Sequence, residues 1–269
     1  MTDVIHENRP MVHEKSTSAQ RIWLTAALVL GCILLCIGGA KWGDGVSLQH
    51  LVVRGATLLS STDISARAQV ALNTPLLKVN IFDVHQRILG EPFIRTATVN
   101  REYPDIVRIR VVEREPVASL NCGQLLYVDT EGVLLPPLRS RAQLDLPVIS
   151  GIAGIQNSPM GEVCRNSELF EALSIVRIAA SIDSGMTHFI SEINMNKGGD
   201  IDLFPADANV RIVLGRGDIG KKLVVLHGFW GTFITSANPE QVEYIDLRFD
   251  EEVVVKRRGK TEPQQSATM

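Results

Sequence analysis

The stretch Gly215-Arg216-Gly217-Asp218-Ile219-Gly220 has a spacing that would suit a nucleotide, GxGxxG between an expected strand and an expected helix. In such a turn the glycines let backbone approach a pyrophosphate, and helix N-terminal amides face the anion. Gly215, Gly220 and Lys221 also approach the GxxxxGK pattern, in which a lysine joins those amides. The context argues against both readings. The preceding strand alternates with Arg211, whereas a central parallel strand is apolar throughout, and about fifty residues remain, too few for a doubly wound sheet. Lys222 stands where a phosphate loop needs a hydroxyl for magnesium. The plainer reading is a glycine-eased turn from strand to helix.

Other chemistry is equally sparse. The six histidines, His6, His13, His50, His85, His188 and His227, are scattered, with neither HExxH nor a ligand pair four residues apart, so no metal and no cofactor is expected. There is no GxSxG elbow, and Asp129 and Glu131 lie in an ordinary turn sequence. Lys256-Arg257-Arg258 reads as a solvated strand end. Of four cysteines, Cys32 and Cys36 fall in an apolar segment, and Cys122 and Cys164 lack CxxC spacing. A disulfide between the last two is open outside the cytoplasm, because spacing does not test its geometry. The residues point to a binding protein, not an enzyme.

The 269 residues are 45% hydrophobic and 5% aromatic, enough for two modest cores, and a net charge of -3 gives no basic field for nucleic acid. From Ile22 to Ala40 no residue is charged, and at 1.5 Å per residue this run matches a bilayer core. Trp23 and Trp42 mark its two interfaces and Arg21 and Lys41 its ends. Gly38-Gly39-Ala40 offers a signal-peptidase site, but the apolar run is longer than a signal core and a polar stretch precedes it, which favours an anchor over residues 22–42. Arg9, Lys15 and Arg21 before the span, against Lys41 and Arg54 after it, put the tail, residues 1–21, in the cytoplasm and the remainder outside.

The exported part divides into elements that would position any site. Leu48 to Val53 reads as a strand. A helix follows the Ser60-Ser61-Thr62 capping cluster, with Ile64, Ala68 and Leu72 as its stripe, and a second starts near Asn80 with Ile81, Val84 and Ile88 on one face. Ile94–Arg101 and Ile106–Arg114 are strands around the turn Tyr103-Pro104-Asp105. Strand, helix, helix, strand, strand gives an α+β unit over residues 46–116. Residues 117–257 form a second, strand-rich domain with two helices. One of these, Ser167 to Ile182, carries Leu169, Leu173 and Val176; the other, from Asp218, carries Leu223, Leu226, Trp230 and Phe233. Short strands run between them, with Gly198-Gly199-Asp200 as one turn. In Tyr244 to Phe249, Ile245, Leu247 and Phe249 point one way and Tyr244, Asp246 and Arg248 the other; the acidic turn Asp250-Glu251-Glu252 then leads to a last strand, Val253 to Lys256. Residues 258–269 have nothing to bury and are expected to be disordered.

This layout resembles the bacterial division family FtsQ/DivIB. The residues that carry the resemblance are Ile94 to Ala118, with Arg101, Tyr103, Pro104 and Glu113-Arg114-Glu115-Pro116, and Leu51 to Ile64, with Val53-Arg54-Gly55; YVDTEGVLL, LPVISG, VRIVLGR and YIDLRF follow in the family's order. The resemblance implies a POTRA domain followed by the family's C-terminal domain, in a non-enzymatic, single-pass inner-membrane protein at the septum. It further implies FtsB- and FtsL-like partners, no cofactor, and a scaffold linking early and late division components. In the family the last strands receive a partner strand, which by position assigns Arg248, Phe249, Val253, Val254 and Lys256 to partner binding. The plain alternative for Phe249 is core packing. Two competing classes are a POTRA-containing assembly or secretion component that handles client chains, and a membrane-tethered envelope enzyme. The first would need barrel strands for which the chain has no room.

Overall fold

A computed structural model describes residues 17–138, 144–196, 199–236, 239–249 and 252–258. The expected tail up to Ser16, Gly198, the acidic turn residues Asp250 and Glu251, and the expected disordered tail from Gly259 lie outside the described residues. Helix α1, Thr17–Asp44, is 28 residues long, and its apolar window Ile22–Gly39 is long and apolar enough to cross a membrane, with none of it buried in the protein.

The next segment contains β1 (His50–Arg54), α2 (Ser61–Ala68), a 3-10 turn (Leu76–Lys78), α3 (Ile81–Leu89), β2 (Ile94–Glu102) and β3 (Ile106–Glu113), with the sheet order β1-β3-β2. Ser60 caps α2 by accepting from the Thr62 N–H, and Ile64 and Ala68 are buried as their spacing predicts. Leu72 is a correction. Gln69 adopts a left-handed conformation (φ 51°) that ends α2, so Leu72 leaves the stripe and is 56% exposed. In β3 the alternation holds, with Val107, Ile109 and Val111 buried. Gly55, at φ 87°, lies so close to β3 that a Cβ would fall 2.1 Å from the Val111 carbonyl oxygen, which accounts for glycine there. By compactness, the described residues up to Val52 gather with Val70–Ile81 and Asn100–Arg108 in one unit, and the other described residues form a second.

The strands that follow are β4 (Pro116–Asn121), β5 (Leu125–Asp129), β6 (Leu134–Leu135) and β7 (Val148–Ser150). After a 3-10 turn (Ile155–Asn157) come α4 (Ser167–Ile182), α5 (Ser184–Phe189), β8 (Ile190–Met195), β9 (Ile201–Pro205), β10 (Arg211–Val213), α6 (Ile219–Ser236), a last 3-10 turn (Pro239–Gln241), β11 (Val242–Asp246) and β12 (Val254–Arg257). They build one nine-stranded sheet in the order β12-β11-β10-β9-β8-β7-β4-β5-β6. Parallel neighbours need a crossover; for β4/β7 it runs through β5 and β6, and for the other two parallel pairs helices supply it. The parallel pair β7/β8 is joined through α4 and α5, and β10/β11 through α6. Those helices cover one face, where Leu169, Leu173 and Val176 of α4 and Leu223, Leu226, Trp230 and Phe233 of α6 share a core with Ile149, Ile193, Leu203, Ile212 and Ile245. The short α5, capped by the Asp183 carboxylate, is a third helix beyond the two expected.

Cys122 and Cys164 are both free thiols, so the disulfide left open by the sequence is not formed. Cys122 contacts the Gln124 carbonyl oxygen and Cys164 the Ser158 hydroxyl, each at 3.5 Å.

Candidate partner-binding edge

The sequence places its candidate site at the C-terminal end, and the structure makes that end the rim of the large sheet. Strand β12 pairs antiparallel with β11 through Asp246/Val254, Ile245/Val255 and Tyr244/Lys256. Among the described residues no strand pairs with its other side. The Arg258 N–H points inward to the Gln241 carbonyl oxygen at 2.7 Å. Alternation along the strand then turns Val254 and Lys256 toward β11 and leaves the N–H groups of Val255 and Arg257 facing outward. An edge with outward donors and acceptors is able to take another strand.

The face away from the helices carries the polar residues. Register aligns Arg211, Tyr244 and Lys256 across β10, β11 and β12. The Arg211 guanidinium lies 5.7 Å and the Lys256 ammonium 5.3 Å from the Tyr244 ring centroid, and Lys256 also pairs with Glu243 at 3.2 Å. Beside this row Asp246 is buried and Arg248 grips it, Nε to Oδ1 at 3.0 Å and Nη2 to Oδ2 at 2.6 Å, while Nη1 reaches Asp200 at 3.0 Å. The bonds from Arg248 hold the Asp246 carboxyl below its ordinary pKa, and the same bonds raise that of the guanidinium. Asp202 has the opposite environment: burial pushes its pKa up, only partly offset by the Arg211 charge 3.9 Å away.

The five expected residues therefore take different positions. Val254 and Lys256 lie on β12 with exposed side chains. Val253 precedes the strand, half-buried against the helix-side core, so β12 starts one residue later than expected. Arg248 is tied to Asp246 and Asp200 and packs over Gly215, where a Cβ would meet its Cγ at 2.7 Å. Phe249 departs from the expected alternation. Leu247 makes the last ladder bond, to the Val213 carbonyl oxygen at 2.9 Å, after which the chain leaves the sheet and Phe249 is 54% exposed beside Lys221, Lys222 and Val225 of α6. Core packing of Phe249 is thus set aside. Tyr244 and Arg211 are additions to the candidate surface, and Asp202 lies buried beside them. The outward alternation of Tyr244 and Arg211 was visible in the sequence, but the register that stacks them was not.

The glycine turn at 215–220 is organised around its own chain. Lys222 Nζ donates to the carbonyl oxygens of Leu214 (3.0 Å) and Arg216 (2.9 Å), and Arg216 is paired with Glu171. Gly215 (φ 64°) and Gly217 (φ 73°) meet the turn's left-handed geometry. Here carbonyls converge on an ammonium, the reverse of amides converging on a phosphate.

A span-length apolar helix, a small β-α-α-β-β unit and a mixed sheet with an open edge define a membrane-anchored, POTRA-containing protein. A family model described as POTRA domain, FtsQ-type, matches residues 46–114, and one described as cell division protein FtsQ/DivIB, C-terminal, matches residues 118–248. Similar proteins named cell division protein FtsQ include those of Geotalea daltonii, 30% identical over 244 residues (87% of this chain and 87% of the relative), and Rhodothermus marinus, 28% over 271 residues (97% and 96%). The Escherichia coli K12 protein of that name is 26% identical over 237 residues (84% and 78%). The chain belongs to the FtsQ/DivIB family of cell division proteins.

Proposed function

We propose that this chain is a non-enzymatic scaffold that links early and late septal components by binding FtsB- and FtsL-like partners along β12. In this reading the N-terminal tail is cytoplasmic, α1 spans the inner membrane at the septum, and the POTRA unit (46–116) and the β domain (117–257) lie on the far side. The observation that supports it is the outward backbone of β12 at the rim of an otherwise internally paired sheet. An added strand would gain hydrogen bonds from Val255 and Arg257. Val254 and Lys256 would flank it, and Arg248 and Phe249 would border the end of β11. The row Arg211, Tyr244 and Lys256 beside this rim favours a partner segment with acidic and apolar residues.

The test uses the full chain in detergent or nanodiscs as bait for membrane proteins of the same cell. Retention of FtsB- and FtsL-like proteins by the wild type and their loss from Arg257→Pro, with the melting temperature unchanged, is the expected result. Undiminished capture by Arg257→Pro and by Val255→Pro would argue against strand addition, because those two positions supply the outward donors.

A further inference from the structure

We infer that the loop Val70–Asn80 and the β2–β3 turn dock on the lipid surface around the exit of α1, as a collar of apolar and aromatic side chains. Helix α1 runs to Asp44, five residues past the apolar window, and Val46 follows two residues later. At 1.5 Å per helical residue and at most about 3.6 Å per extended one, Val46 lies within roughly 15 Å of the hydrocarbon boundary. The headgroup layer fills roughly the first third to half of that distance.

Two loops are fastened to this exit. On one side the Leu76 N–H donates to the Val46 carbonyl oxygen (2.8 Å), Leu48 N–H to Thr74 (2.9 Å) and Asn73 N–H to Leu48 (2.8 Å), and Ser47 bridges Pro75. On the other, Gln49 and His50 both donate to the Asp105 carbonyl oxygen (2.9 and 3.2 Å), which holds the Tyr103-Pro104-Asp105 turn. Arg101 reaches from β2 to the Val79 carbonyl oxygen at 2.6 Å and joins the two loops.

Their exposed side chains suit lipid. Leu72 is 56%, Leu77 45% and Tyr103 63% exposed, while their neighbours Leu76 and Val79 are buried. The loops turn Leu76 and Val79 into the fold and leave Leu72, Leu77 and Tyr103 outside. From Gln69 to Asn80 there is no acidic residue and the exposed Lys78 sits beside Leu77, while at the other loop Glu102 is paired with Arg108 and Asp105 is half-buried, so the first loop offers anionic headgroups a cation. Tyr is the residue type that favours the membrane–water interface. The occupant is a phospholipid surface because the same chain enters it a few residues away; a protein partner would have to share that space with headgroups.

The experiment places a photoreactive benzoylphenylalanine singly at positions 77, 103, 30 and 224 of the full chain, reconstituted in vesicles of zwitterionic and anionic phospholipid. Position 30 reports on the span, and 224 replaces the exposed Val224 of α6. The expected result is lipid adduct at 77 and 103 about five times that at 224, with a further fall at 103 when Leu77→Glu is added. Adduct at 30 but only background at 77 and 103 overturns the collar and leaves the span intact. Background at 30 as well overturns both.

Discussion

At β6 the large sheet ends on two fully buried leucines whose outer backbone is occupied by the chain itself, with Gly161 donating to the Leu134 carbonyl oxygen at 2.8 Å and Leu134 to Glu162 at 3.1 Å. At β12 it ends on Val254, Val255, Lys256 and Arg257, of which only Val255 is half-buried, and nothing among the described residues pairs with the outer side. An exposed edge can be protected from aggregation by covering it, by shortening it or by charging it. This protein covers the first rim with its own loop and puts charges on the second. The contrast teaches that one sheet manages its two edges by different means, a covering loop at one and the charges of Lys256 and Arg257 at the other.

The largest expected effect tests the covered rim. Leu135→Ala removes a fully buried side chain and should cost about 2–5 kcal/mol in chemical denaturation, whereas Val254→Ala at the open rim should stay within about 0.5 kcal/mol. Equal losses would break the comparison. Next, Arg257→Pro should weaken partner capture roughly tenfold without moving the denaturation midpoint, since it removes an outward donor and no buried group.

Acid sharpens the contrast within the open rim's polar face. Asp246 has a lowered pKa because Arg248 bonds its charged form, so its stabilising contribution is present above the unfolded-state value and is lost as pH falls through the folded one. Asp246→Asn should therefore lower the midpoint at pH 7, with the gap closing on acidification. Asp202 is raised by burial, so its ionisation opposes folding as pH rises through the folded value. Asp202→Asn should raise the midpoint at pH 7 and make no difference below the ordinary carboxylate range. A shared direction for the two variants would contradict the assigned environments. A small effect is also expected of Lys256→Ala, whose exposed pair with Glu243 should contribute no more than about 1 kcal/mol to stability, read in the same titration.

Much of this was legible from side-chain periodicity. Val107, Ile109 and Val111 alternate with Arg108 and Arg110, and Ser60 stands before Ile64 and Ala68; both patterns are local and both survive in the fold. Leu72 and Phe249 were misplaced for a common reason. Each continues a pattern past the residue where the backbone turns away, at the left-handed Gln69 and after the last ladder bond of Leu247. Periodicity records which side chains want burial, not where the chain stops obeying the period.

The sequence by itself determined the apolar span, which rests on composition, and many of the local elements, which rest on spacings of two to four residues; the family was legible as a resemblance of whole segments such as Ile94 to Ala118. Which strand lies at the rim was decided only by the tertiary structure. Its cause is long-range: α4 and α5 carry β8 back beside β7, and α6 carries β11 back beside β10, which leaves β12 as the outermost strand. The same packing sets Tyr244 between Arg211 and Lys256, a meeting of three strands that no local pattern encodes.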